Sequence, residues 1–239
     1  MVEAEQMALY RVIVSVKDDA APPLSNAFGI YGFKAASDNR PDARPVVWFF
    51  ESDIQSHMEL EWGGSDQEIY VAKPRHKESD PISSYSAHKF KYRQKFVVET
   101  ASGGGYYLHN EENPTHMEVL NSSEKKLRFG LAEKVNLGNQ QDAFCPYCEN
   151  IADRGATSSF RIVEKVILFI AQSDTEAAIK QGNVVPEALS SGVVIDAEHA
   201  EDDTYVTFDL TVGEWSWEGE QHWVSGISKG YDLGYFARI

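Results

Sequence analysis

The chain has 239 residues, 42% of them apolar, which is enough for one sizeable core. Its 22 basic and 37 acidic residues leave a net charge of −15, and a surface of that sign repels nucleic acid and anionic membranes, so neither is expected as a partner. No run of about 18 apolar residues is present, and two cysteines do not make a disulfide framework.

Taken in order, Met1 to Val14 shows no basic leader, apolar stretch and small-residue cleavage site in sequence, so the expected location is the cytoplasm. Ala8 to Val16 alternates and reads as a first strand, followed by a turn over Asp18 to Pro23. Ala27 to Phe33 is a second strand, Ser37 to Pro45 a loop, and Val46 to Phe50 a core strand. His57 to Trp62 alternates strictly, Gly63-Gly64-Ser65-Asp66 has a turn composition, and Glu68 to Ala72 would run back as a hairpin. Lys73 to Lys95 is the basic stretch of an acidic chain: a loop in its first half, then a strand with Phe90, Tyr92, Gln94 and Phe96 on one face and Lys89, Lys91, Arg93 and Lys95 on the other.

Phe96 to Thr100, Tyr106 to His109, Thr115 to Leu120 and Lys126 to Ala132 recur at roughly ten-residue spacing between turn compositions, the pattern of a meander. Val135 to Ala156 reads as a long polar loop carrying Cys145-Pro146-Tyr147-Cys148. Phe160 to Gln172 holds the longest apolar run, Val166 to Ala171, and reads as a strand buried on both faces. A capping box at Ser173 to Glu176 predicts one short helix over Thr175 to Gln181, stopped by Gly182. Strands follow at Gly192 to Asp196 and Thr204 to Val212, then an aromatic, glycine-rich tail. The whole, residues 1–239, is expected to be a single all-β domain: an antiparallel β-sandwich or flattened barrel with one short helix.

Candidate chemistry is sparse. The Cys145/Cys148 pair lacks the βαβ setting of a redox motif and the two further ligands of a zinc site. His57, Glu59 and Glu61 share one strand face, but alternate residues about 7 Å apart cannot all ligate one ion. Glu59 and Glu61 could still serve as the carboxylate pair of a hydrolase or isomerase. Asp196, Asp202 and Asp203 fall in an acidic loop that could offer oxygens to Ca²⁺, without an EF-hand pattern. Trp215, Trp217, Trp223, Tyr231 and Tyr235 form the densest aromatic cluster, whose rings can stack on a sugar or a planar organic molecule. The basic face at Lys89 to Lys95 is expected to pair with acidic strands.

The segment SSGVVIDAEHAEDDTYVTFDLTVGEWSW, with FGLAEK and FCPYC upstream, resembles small soluble β-sandwich proteins of mushroom fruiting bodies, a loose group of lectins and pigment-carrying chromoproteins. That resemblance covers the C-terminal half and implies a non-enzymatic, cytoplasmic, ligand-binding protein. The expectation is therefore a fold that holds a bound aromatic small molecule, such as a pigment, on the tryptophan cluster. A glycan-binding lectin, Ca²⁺-dependent or not, is the first alternative and a carboxylate-pair enzyme the second. An exposed sheet edge or aromatic face would favour a homodimer.

Overall fold

A computed structural model describes residues 8–18, 28–38, 44–52, 54–72, 80–112, 115–138, 140–141, 145–172 and 181–236. The expected helix over Thr175 to Gln181 lies outside them except for Gln181. So do most of the Asp18 to Pro23 turn, part of the Ser37 to Pro45 loop and residues 73–79 of the basic stretch.

The strands are β1 (Leu9–Lys17), β2 (Phe28–Asp38), β3 (Arg44–Pro45), β4 (Phe49–Glu51), β5 (His57–Ala72), β6 (Ser84–Lys89), β7 (Gln94–Val98), β8 (Gly105–His109), β9 (Met117–Asn121), β10 (Leu127–Leu137), β11 (Gln140–Gln141), β12 (Cys148–Ala152), β13 (Thr157–Gln172), β14 (Gly192–Asp196), β15 (Thr204–Asp209), β16 (Glu214–Trp217) and β17 (Val224–Ile227); one short helix, α1, spans Leu233–Phe236. They form two sheets. The first runs β16-β15-β1-β5-β10-β12-β3, with β6 on β5 and β11 on β10. The second runs β17-β14-β13-β9-β7-β8, with β2 on β13 and β4 on β2. The all-β sandwich is thus the architecture. Two of its pairings are parallel, β1 with β15 and β7 with β9, so the expected meander does not form: β9 lies beside β7, not after β8.

β13 is the strand that the apolar run predicts. Val166, Leu168 and Ile170 face the main core between the sheets, while Ile167, Phe169 and Ala171 face a second core on the outside of the sheet. Leu233 and Phe236 of α1, with Val185 and Ala188, cover that second core. No helix among the described residues is long and apolar enough to cross a membrane.

Three expectations change. The Gly63 to Asp66 turn is not a turn: β5 runs unbroken through it. The register on β10 jumps from Gln67↔Glu133 to Trp62↔Val135, so residues 63–66 bulge out against Lys134 alone. Glycine serves a bulge as well as a turn, which is why the composition misleads. The basic strand breaks in two, because Arg93 takes a φ of 58° and turns the chain between β6 and β7; Lys95 then pairs with Glu118 at 2.8 Å. The polar loop over 135–156 is largely sheet, with Cys145, Tyr147 and Cys148 buried in the main core and neither cysteine in a disulfide.

At the bulge Gly63 has a φ of +111°, and a Cβ there would lie 2.3 Å from the Ala8 carbonyl oxygen. Gly63→Ala should therefore lower stability by at least about 1–3 kcal/mol, the usual cost of a forced backbone. Urea unfolding should show a lower midpoint with an unchanged m-value.

Candidate functional site

The concave surface nearest the expected residues lies at the start of β1 and β15. Two adjoining grooves, of about 640 and 750 Å³, share Glu201, Asp202, Asp203 and Tyr205 as a common ridge. The first is walled by Tyr10, Arg11 and Ala197. The second is walled by Glu218, Glu220, His222 and Trp223. Its far wall is held by two side chains, Gln221 and Trp223. Gln221 accepts the Tyr205 N–H through Oε1 (3.0 Å) and donates to the Tyr205 carbonyl through Nε2 (3.1 Å), so an amide side chain continues the sheet where β16 has ended. Trp223 is fixed by an indole N–H bond to Thr204 Oγ1 (2.9 Å) and carries the His222 ring edge-on at 5.1 Å. The Tyr205 side chain stands 47% exposed between the grooves.

Of the five expected aromatic residues, only Trp223 lines a groove. Trp215 donates to the Ser191 carbonyl (3.1 Å) and packs on Phe208, and Trp217, like Trp215, is half-buried against the main core. Tyr231 packs on the second core, and Tyr235, on α1, is exposed. Tyr205 and Tyr10 were not singled out. Tyr205 has a signal in the sequence, because it alternates outward between the core-facing Thr204 and Val206, two residues after Asp203.

The carboxylates divide likewise. Asp202 and Asp203 line both grooves, and Asp203 accepts from Arg11 at 3.0 Å. Asp196 is bound to Lys165 (2.8 Å) and His199 (2.9 Å). Burial pushes the Asp196 carboxyl up, but those two partners outweigh it and hold it below its ordinary value. Among the described residues no three His, Cys, Asp or Glu side chains are grouped to hold a metal ion. Glu59 and Glu61 are brought together on Arg11, at 2.8 and 3.7 Å, and that guanidinium lowers the Glu59 pKa.

Behind the first groove lies a cluster that the sequence reading missed. The Tyr10 ring packs on Trp62 at 5.7 Å, and the Trp62 indole donates to Glu164 (2.9 Å). Glu164 sits in a second bulge, where Val163 to Lys165 oppose Ala35 alone across β13 and β2. That bulge faces the one in β5. Between them the Lys34 ammonium donates to Glu133 and, at 2.6 Å, to Glu164. Gln67 spans the same two carboxylates at 3.1 and 3.3 Å. The Lys34 and Glu133 side chains are fully buried and Glu164 is 13% exposed. Burial pulls the Lys34 pKa down, yet the two carboxylates raise it above its ordinary value. Burial also drives Glu133 up, the charge of Glu164 adding to it and Lys34 opposing it. The buried Tyr147 phenol is raised well above the usual tyrosine range, by burial first and Glu133 second.

No family model, curated protein or solved structure matches this chain.

Lys34→Met should leave two carboxylates without their cation and cost about 3–5 kcal/mol at neutral pH. A carboxyl whose folded pKa is raised stabilises the fold below its unfolded pKa and loses that contribution as pH rises through the folded one. The deficit of the variant should therefore shrink on acidification as Glu133 takes up a proton, which denaturation at pH 5 and pH 8 will read. Separately, His199 is raised by its hydrogen bond to Asp196. Its contribution is complete below the unfolded pKa and is lost as pH rises through the folded value. In an NMR titration Asp196→Asn should return His199 toward about 6.5.

Proposed function

We propose that this chain is a non-enzymatic carrier of a small planar aromatic molecule, such as a pigment, held on the ridge between the two grooves. The observation that carries the reading is the placement of Tyr205 and Trp223 in one groove, with Tyr10 at the mouth of the adjoining one. A flat ligand can lie against those rings while the carboxylates take its polar edge. The resemblance of the C-terminal half to mushroom β-sandwich proteins points the same way. The carboxylate pair at Glu59 and Glu61 offers less, since both side chains face Arg11 and Glu59 is held ionised. We place the carrier in the cytoplasm, a reducing compartment, in keeping with two cysteines that form no disulfide.

A lectin is the second reading, favoured by the carboxylates Asp202 and Asp203 beside the aromatic rings. Carboxylates accept from sugar hydroxyls, and Asp202 and Asp203 could recruit Ca²⁺ to the same ridge.

Absorbance and mass spectra of protein from its native source should reveal a co-purifying aromatic compound. Rebinding should quench tryptophan fluorescence, and Trp223→Phe should remove most of that quench while Trp48 and Trp62 stay buried. Tyr205→Ala should weaken binding about tenfold, or roughly 1.4 kcal/mol. A colourless native protein and an unquenched titration would overturn the carrier reading. Binding on a glycan array, lost or kept with EDTA, would favour the lectin.

A further inference from the structure

Strand β8 ends the second sheet. It pairs with β7 on one side, and among the described residues nothing pairs with it on the other. The direction of its backbone follows from two bonds: Asn110 N–H donates to the Arg93 carbonyl (2.7 Å) and Glu99 N–H to the Gly104 carbonyl (2.9 Å). Even-numbered residues therefore turn their amides toward β7, and Gly105, Tyr107 and His109 turn theirs to the open edge. Side chains alternate the other way. Tyr107 packs inward on Phe96 at 5.0 Å, while Tyr106 and Leu108 stand 45% and 46% exposed on the outer face.

Sheet edges of soluble proteins are normally blunted by lysine, proline or a bulge. This one, Gly-Tyr-Tyr-Leu-His, has none of them and carries no carboxylate. We infer that β8 is the contact by which two copies of this chain associate, β8 against β8 around a two-fold axis through Tyr107. The strand is self-complementary in that register. Tyr107 meets the partner's Tyr107 and Gly105 meets the partner's His109, so every outward amide gains a partner. Tyr106 falls opposite the partner's Leu108, twice, which covers the apolar side chains that the monomer leaves in water.

Charge favours the same occupant. In a chain of net charge −15 most faces bring carboxylates together when two copies meet, and this strand does not. Five residues of ribbon bury less than the ~800 Å² per partner of a standard interface, so association should be weak and concentration-dependent.

Sedimentation velocity of the full chain over about a hundredfold range of concentration should show the average mass rising toward that of a dimer. Leu108→Lys should abolish the rise. The register is read by two exposed-site variants, Tyr106→Cys and Leu108→Cys. Mixed under mild oxidation they should give a disulfide-linked dimer several-fold faster than either alone, because position 106 faces position 108 and not itself. A monomer at every concentration, a dimer indifferent to Leu108→Lys, or equal cross-linking in the mixture and the single variants would each overturn the inference. None of these readouts depends on the ligand.

Discussion

A lysine with no access to solvent, held between two glutamates, is the constraint from which much of this architecture follows. An ion in a core costs several kcal/mol unless its partners are geometrically well placed. Here the partners come from different sheets: Lys34 and Glu164 from β2 and β13, Glu133, Gln67 and Trp62 from β10 and β5. Bringing them to one point requires that each sheet break its ladder locally, and each does so with a bulge that sets several residues against one. A slip of either register by one residue would turn a charged side chain to the wrong face of its sheet. The cluster therefore specifies how the two sheets sit on each other, a task that the surrounding valines and leucines perform less selectively.

The same bulges place the aromatic residues. Trp62 borders the β5 bulge and is anchored to Glu164, and its outer ring face supports Tyr10 at the mouth of the surface groove. Trp48 is tied to the Glu133 carbonyl from the other side (2.9 Å). Glu164 is thus joined to the groove by one hydrogen bond and one ring contact, through Trp62 to Tyr10. Burial, and then the charge of Glu164, raise the Tyr10 pKa above its ordinary value.

Local pattern carried the strands whose burial is written in neighbouring residues. β13 declares itself by an unbroken apolar run and lies where that run puts it; β15 declares itself by alternation but ends at Asp209, short of the expected Val212, because the chain turns over residues 210–213. What was illegible depends on partners far away in the chain. The Gly63 to Asp66 segment looks the same whether the strand reverses or bulges, and only the register on β10 decides. The Cys145 to Cys148 segment looks polar from its flanks, yet it is buried because β10 supplies the cover: the Leu131 amide donates to Cys148 Sγ (3.3 Å) and the Tyr147 amide to the Leu131 carbonyl. Lys34 did leave a trace, being a lone charge inside an otherwise apolar stretch, whereas Glu133 and Glu164 are each masked by a neighbouring lysine, Lys134 and Lys165. Such a charge announces a buried partner without naming it, and a separation of 99 residues between Lys34 and Glu133 puts the pairing beyond any local rule.

The groove itself is a consequence of unequal strand lengths. β15 runs parallel to β1 on one side, pairing from Thr204 onward. On its other side β16 reaches only as far as Val206, opposite Trp217. Tyr205 is left with a one-sided backbone at the rim of the sheet. An uncompensated amide and carbonyl there would be costly if covered by apolar chain, and Gln221 resolves this by docking its own amide as a surrogate strand. The loop that delivers Gln221 necessarily also delivers Glu218, Glu220, His222 and Trp223 to the same rim. Concavity, aromatic rings and negative charge thus arise together from one shortened strand, and lengthening β16 by a single pair would fill the groove with sheet.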